Sequence, residues 1–183
     1  GGYAAATKRD FDNVSGFLRF NNLMNGSSYV NLSINERAPD TTELFNAKQN
    51  SSAMMRHVGN PHLSSERHMT IEIGHESMLL GNHVTGSVFY NDVDDYVTTH
   101  RVADAAMGTR TYKNIDATLY GYEITAHRVV AGIDTTLNLN YTRGEDDTQN
   151  RALPQIMPLA GDLTFEIKSA QSNYGLRINF ADT

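Results

Sequence analysis

Between positions 134 and 142 apolar and polar side chains alternate residue by residue, with Leu137, Leu139 and Tyr141 on one side and Thr136, Asn138, Asn140 and Thr142 on the other. Successive side chains of an extended chain point to opposite faces, so this run describes a ribbon with one apolar and one water-loving surface. The period recurs in Val30, Leu32 and Ile34 against Asn31, Ser33 and Asn35, and in Met69, Ile71 and Ile73 against Thr70, Glu72 and Gly74. It returns around Tyr120, Tyr122 and Ile124, then in Leu163, Phe165 and Ile167, and finally in Tyr174, Leu176, Ile178 and Phe180. Helical periodicity is nearly absent.

Eight strands follow, at about 12–24, 28–37, 66–79, 84–100, 112–129, 134–145, 163–170 and 174–181. Their connections alternate in length. Short turns fall at Asn25-Gly26, Gly81-Asn82, Ala131-Gly132 and Gln171-Ser172-Asn173, and long loops at 38–65, 103–111 and 146–161. Short turns at one end and long loops at the other characterise barrels of the bacterial outer membrane. Several strands exceed the roughly 9–11 residues that cross a bilayer with tilt, and these would project on the loop side.

Composition fits the same reading. Only 39% of the 183 residues are hydrophobic, lean for a packed soluble core, whereas a barrel needs apolar residues on its lipid-facing side alone. Tyr29, Tyr90, Tyr120, Tyr122, Tyr141 and Tyr174 fall in strands, where they suit either the headgroup boundary or cross-strand packing. The formal charge of -6, with no basic stripe, speaks against nucleic acid as a partner. With zero cysteines there is no intrachain disulfide, thiolate chemistry or Cys-based zinc site. Residues 1–6 lack a signal-peptide pattern, so an exported parent is expected to carry its signal upstream of Gly1.

Motifs in the connections carry a family resemblance. Arg37-Ala38-Pro39, running through Asp40 to Glu43-Leu44-Phe45, is similar to an R-x-P-x-x-x-E-L-F pattern. Asn60-Pro61-His62-Leu63-Ser64-Ser65-Glu66 is similar to N-P-x-L-x-x-E, and leads into Thr70-Ile71-Glu72-Ile73-Gly74. Three blocks follow in order, at 87–97, 112–123 and 137–142. Together they resemble the C-terminal part of the barrel of TonB-dependent outer-membrane receptors, gated transporters with a plugged lumen.

The resemblance implies an all-β fold, an antiparallel up-and-down transmembrane β-barrel segment of about eight strands. Residues 1–183 would be part of the receptor barrel, with the plug domain absent from this chain. Partners would be outer-membrane lipid, a metal or metal-chelate ligand, and the TonB energy-coupling complex acting through the missing plug. Gly121, between Tyr120 and Tyr122, would let the plug approach closely or would relax strand curvature.

Asp116-Ala117-Thr118-Leu119-Tyr120-Gly121 and the loop from Arg143 to Leu159 are similar to the copper-receptor branch. No cofactor is expected, and copper would be a transported ligand, with Met54, Met55 and His57 as candidate loop ligands, supplemented by Met107, His68 and Met69. Thioether and imidazole donors favour Cu(I); the alternative expectation is that Met54, Met55 and His57 simply pack a loop and that Met69 is a wall residue.

Nothing marks an enzyme. There is no Gly-x-Ser-x-Gly elbow and no His-Glu-x-x-His motif. Asp92, Asp94 and Asp95, and Glu145, Asp146 and Asp147, lack the spacing of a calcium loop and read as solvated strand ends and a loop tip. The expected function is outer-membrane import of a metal or metal chelate, copper or an iron-siderophore. The alternatives are a small complete eight-stranded barrel with a structural or adhesive role, and a soluble β-sandwich binding module.

Overall fold

The computed structural model describes residues 8–23, 27–46, 57–102, 108–154, 156, 159–169 and 171–182. The described residues form ten strands and one short helix: β1 (Ser15–Leu23), β2 (Ser28–Arg37), α1 (Thr41–Phe45), β3 (His57–Val58), β4 (Glu66–Leu79), β5 (Asn82–Arg101), β6 (Arg110–Val130), β7 (Ile133–Asp146), β8 (Arg151–Ala152), β9 (Leu159–Lys168) and β10 (Asn173–Ala181). All ten join one sheet, eight of them in the antiparallel order β1-β2-β4-β5-β6-β7-β9-β10, with β3 pairing parallel to β6 and β8 antiparallel to β7. Each main strand pairs with its chain neighbour, as in an up-and-down barrel wall. β1 and β10 lie at opposite edges, so the sheet is not closed.

Register puts the apolar positions in rows. Val30, Ile73, Val88 and Tyr122 align across β2, β4, β5 and β6, and Tyr122 continues to Tyr141 on β7. The Tyr122 and Tyr141 rings stack 5.5 Å apart. Among the described residues no second layer covers this face: Leu18 is 63% exposed, Val88 55% and Leu176 60%. A soluble sheet would bury such a surface against a second one, whereas lipid covers it in a barrel.

On the other face polar side chains bond to one another. Thr125 donates to Asn138, which donates to Asp162, and Arg177 donates to Thr164. The Tyr29 hydroxyl donates to Glu72, and Arg19 lies over the Tyr29 ring.

Glycine on this inner face is used for cross-strand packing. Phe89 stands opposite Gly121, and a Cβ at Gly121 would collide with the Phe89 ring and the Tyr141 carbonyl. Tyr29 covers Gly74 in the same way. Within the described chain, the room left at Gly121 is filled by the sheet's own aromatic.

The turns Leu80-Gly81 and Ala131-Gly132 have positive φ at both residues, the primed geometry that matches strand twist. The expected turn at Asn25-Gly26 lies outside the described residues. The strands expected at 84–100, 112–129 and 163–170 start earlier, at Asn82, Arg110 and Leu159, because pairing continues past the alternating stretch.

Candidate functional site

Among the described residues, the long-loop end differs from the rest of the sheet in having buried hydrophobic side chains. Two small clusters form there, one of Val93, Ile115, Ala117 and Leu153, the other of Leu44, Leu63 and Val97. β5 and β6 run on from Tyr90 and Tyr120 to Arg101 and Arg110, about 33–36 Å along the strands at ~3.3 Å per residue. They supply the floor on which the loops sit.

Loop 38–65 is rooted by the residues of the two quoted motifs. The Arg37 guanidinium donates to Glu66 from Nε and Nη2, both at 2.8 Å, and to Glu43 at 3.1 and 3.3 Å. Asp40 caps α1: its side chain accepts from the Thr42 and Glu43 amides at 2.7 Å, and Glu43 reaches back to the Asp40 amide. This capping box nucleates a helix of only five residues. Leu44 then packs on Leu63 and Val97, with Phe11 and Tyr112 beside them.

The Asn60 side chain donates to the Tyr112 carbonyl at 2.9 Å and accepts from the His62 amide, while Asn114 holds Ser64. The loop's two arms are joined by the Gly59 amide on Asn46 and the Asn60 amide on Glu43.

Glu66 is the electrostatic centre of this root. It is the first residue of β4, outside the alternating run Met69–Ile73, and is 3% exposed. Burial alone would raise its pKa. Donors from Arg37, His68 and the Val97 amide outweigh that and hold it at about 2. Farther out on β5, burial and the Lys113 charge push His100 below its ordinary range. A bulge sets Asp94 and Asp95 against the single residue Asp116, with Asp95 at φ 59°.

Loop 146–161 folds back on the sheet rather than standing free. β8 pairs with the end of β7, the Leu153 amide donates to Gly144, and Leu153 caps the Val93–Ala117 cluster. The reading of 145–147 as a loop tip is corrected here. Glu145 and Asp146 belong to β7, and Asp146 is 1% exposed, bonded to Arg151 and the Gln149 amide.

Of the expected metal ligands, Met54 and Met55 lie outside the described residues, as does Met107. His57 sits in β3, opposite Arg110 of β6. His68 is joined to Glu66 and Asn91, and Met69 lies on the apolar face. Among the described residues no three His, Asp or Glu side chains converge on one point.

A family model described as "TonB dependent receptor-like, beta-barrel" matches residues 2–182. No curated protein matches. Among solved structures, the chain is similar to "Copper transporter OprC", with 24% identity and a TM-score of 0.70 over 88% of this chain and 26% of that one. It is also similar to the ferric enterobactin receptor PfeA, a G324V mutant, from Pseudomonas aeruginosa, with 16% identity and a TM-score of 0.64 over 91% and 27%. The siderophore receptor PirA from Pseudomonas aeruginosa gives 17% identity and a TM-score of 0.60 over 91% and 34%. At these identities the likeness shows a shared fold. The chain spans about a quarter to a third of the length of each.

Proposed function

As the chain belongs to the TonB-dependent receptor β-barrel family and its sheet is outer-membrane barrel wall, we propose that it supplies wall and loop roots to a receptor that imports a metal or a metal chelate. The observation that carries this reading is the division of the sheet into an uncovered apolar face, a hydrogen-bonded polar face, and one end where loops are rooted by Arg37, Glu66 and Leu153. Such a wall separates lipid from a lumen and presents loops to whatever enters it.

In this reading residues 1–183 form only barrel, and a plug borne elsewhere in the parent receives energy from TonB. Loops 38–65 and 146–161 make the ligand contacts, with Met54, Met55 and His57 available if the cargo is copper. The family is one of receptors and transporters, and catalysis has no part in this proposal.

The test is accumulation of radioactive copper and of ferric siderophores by cells expressing the whole receptor, with and without TonB. TonB-dependent uptake of either supports the reading, and uptake of neither overturns it. A Met54/Met55/His57 triple substitution that leaves copper uptake unchanged removes those three residues from it.

A further inference from the structure

At the short-turn end of the wall, Met78, His83 and His127 form a row across three adjacent strands. Met78 is directly opposite His83 in the β4–β5 ladder, and His83 is directly opposite His127 in the β5–β6 ladder. Opposed residues of an antiparallel ladder share a face, with Cβ atoms about 4.5–5.5 Å apart. One thioether and two imidazoles therefore stand side by side. The face is the polar one, shared with Glu76, Thr85, Thr125 and Thr136 by the same alternation.

Both imidazoles are already oriented. His83 places Nε2 2.6 Å from Glu76 Oε1, and His127 places Nε2 2.6 Å from Asp134 Oδ1. An ionised carboxylate can only accept, so each Nε2 carries the proton, and in the neutral ring Nδ1 keeps its lone pair. Neither Nδ1 has a hydrogen-bond partner among the described residues. A histidine whose second nitrogen donates to a carboxylate is the usual form of a metal-bound imidazole.

Met78 is 69% exposed, a thioether standing on a polar wall instead of packed within one. The nearby positive charge of Lys168 is met by Asp134 at 3.4 Å and Glu166 at 3.2 Å.

We infer that Met78, His83 and His127 form a copper-binding site on the inner wall near its short-turn end, with Sδ and two Nδ1 atoms as donors. One sulfur and two imidazole nitrogens suit Cu(I), whereas hard cations such as Mg²⁺ need oxygen ligands. The thioether is essential to the set, since among the described residues no third His, Asp or Glu joins the two histidines. Glu76 and Asp134 act through the imidazoles as positioning residues. The inference rests on the transport reading only for the site's place on an import route, where it would receive the ion far from the loops.

The experiment is anaerobic titration of the purified whole receptor with Cu(I) against a chromophoric Cu(I) chelator. The wild type is expected to hold one Cu(I) equivalent more than a His83→Ala/His127→Ala variant, each checked for the heat-dependent gel shift of a folded barrel. Glu76→Gln should weaken that equivalent about 10–100-fold. Met78→Leu, which conserves volume, should weaken Cu(I) yet leave unchanged the two-nitrogen signature of bound Cu(II) in electron paramagnetic resonance. Equal Cu(I) content in wild type and double variant overturns the site, as does equal Cu(I) affinity in wild type and Met78→Leu. Cu(I) bound at this row with no TonB-dependent copper uptake by cells leaves the site standing and overturns only its place in import.

Discussion

Arg37 and Glu66, 29 residues apart, meet in a two-point contact with both N···O distances at 2.8 Å, and that contact closes the root of the longest loop. Glu66 also accepts from the Val97 amide at 2.7 Å, tying the root to β5. Glu66→Ala leaves Arg37 with Glu43 alone and the Val97 amide without its acceptor, and is expected to cost about 2–3 kcal/mol. The shift in urea midpoint of the micelle-embedded receptor measures it.

Acid should loosen the same root. With a folded-state pKa near 2, below its value of 4.5 in the free chain, Glu66 stabilises the fold fully above pH 4.5 and progressively less as pH falls toward 2. Protease sensitivity of loop 38–65 is expected to rise over that interval in the wild type. Glu66→Gln should show high sensitivity throughout, with a flat profile.

Gly121→Ala drives a methyl group into the Phe89 ring and the Tyr141 carbonyl. Overpacking of this kind costs about 1–3 kcal/mol. Adding Phe89→Leu should return part of the loss, since it relieves the ring and leaves the backbone contact. A double-mutant cycle of unfolding midpoints separates the two.

The two faces should answer differently to charge. Ile124 and Thr125 are chain neighbours on β6, opposite Leu139 and Asn138 respectively. Ile124→Arg is expected to cost about 2–4 kcal/mol if the site is near the bilayer midplane, and Thr125→Arg far less. Insertion yield into liposomes reads both, and equal losses would refute the assignment of faces.

Much of this architecture was legible in the sequence because the wall obeys a single local rule. In β7, Leu137, Leu139 and Tyr141 declare their face without any partner being known, and the β4–β5 and β6–β7 turns announce themselves by Gly81 and Gly132. The helix α1 was missed although Asp40 and Glu43 have capping-box spacing, since Leu44 is its single buried residue and gives no period. Asp94 and Asp95 read as solvated acids, and only their opposition to one residue of β6 reveals a bulge.

The fold-back of Leu153 depends on Gly144, which leaves space where a Cβ would meet the leucine. The row Met78–His83–His127 was invisible for a different reason. Its members are distant in the chain and meet only through register, which the sequence specifies by pairing and not by spacing.

The root of loop 38–65 is closed by contacts among its own two arms: Gly59 to Asn46, Asn60 to Glu43, Arg37 to Glu66. A collar of this kind separates two kinds of inheritance. Changes in the sequence between Asn46 and His57 are expected to leave the strands undisturbed, because the collar, together with the pairing of His57 and Val58 to β6, fixes both ends of that stretch on the wall. That stretch can therefore drift quickly in evolution while the wall keeps its shape.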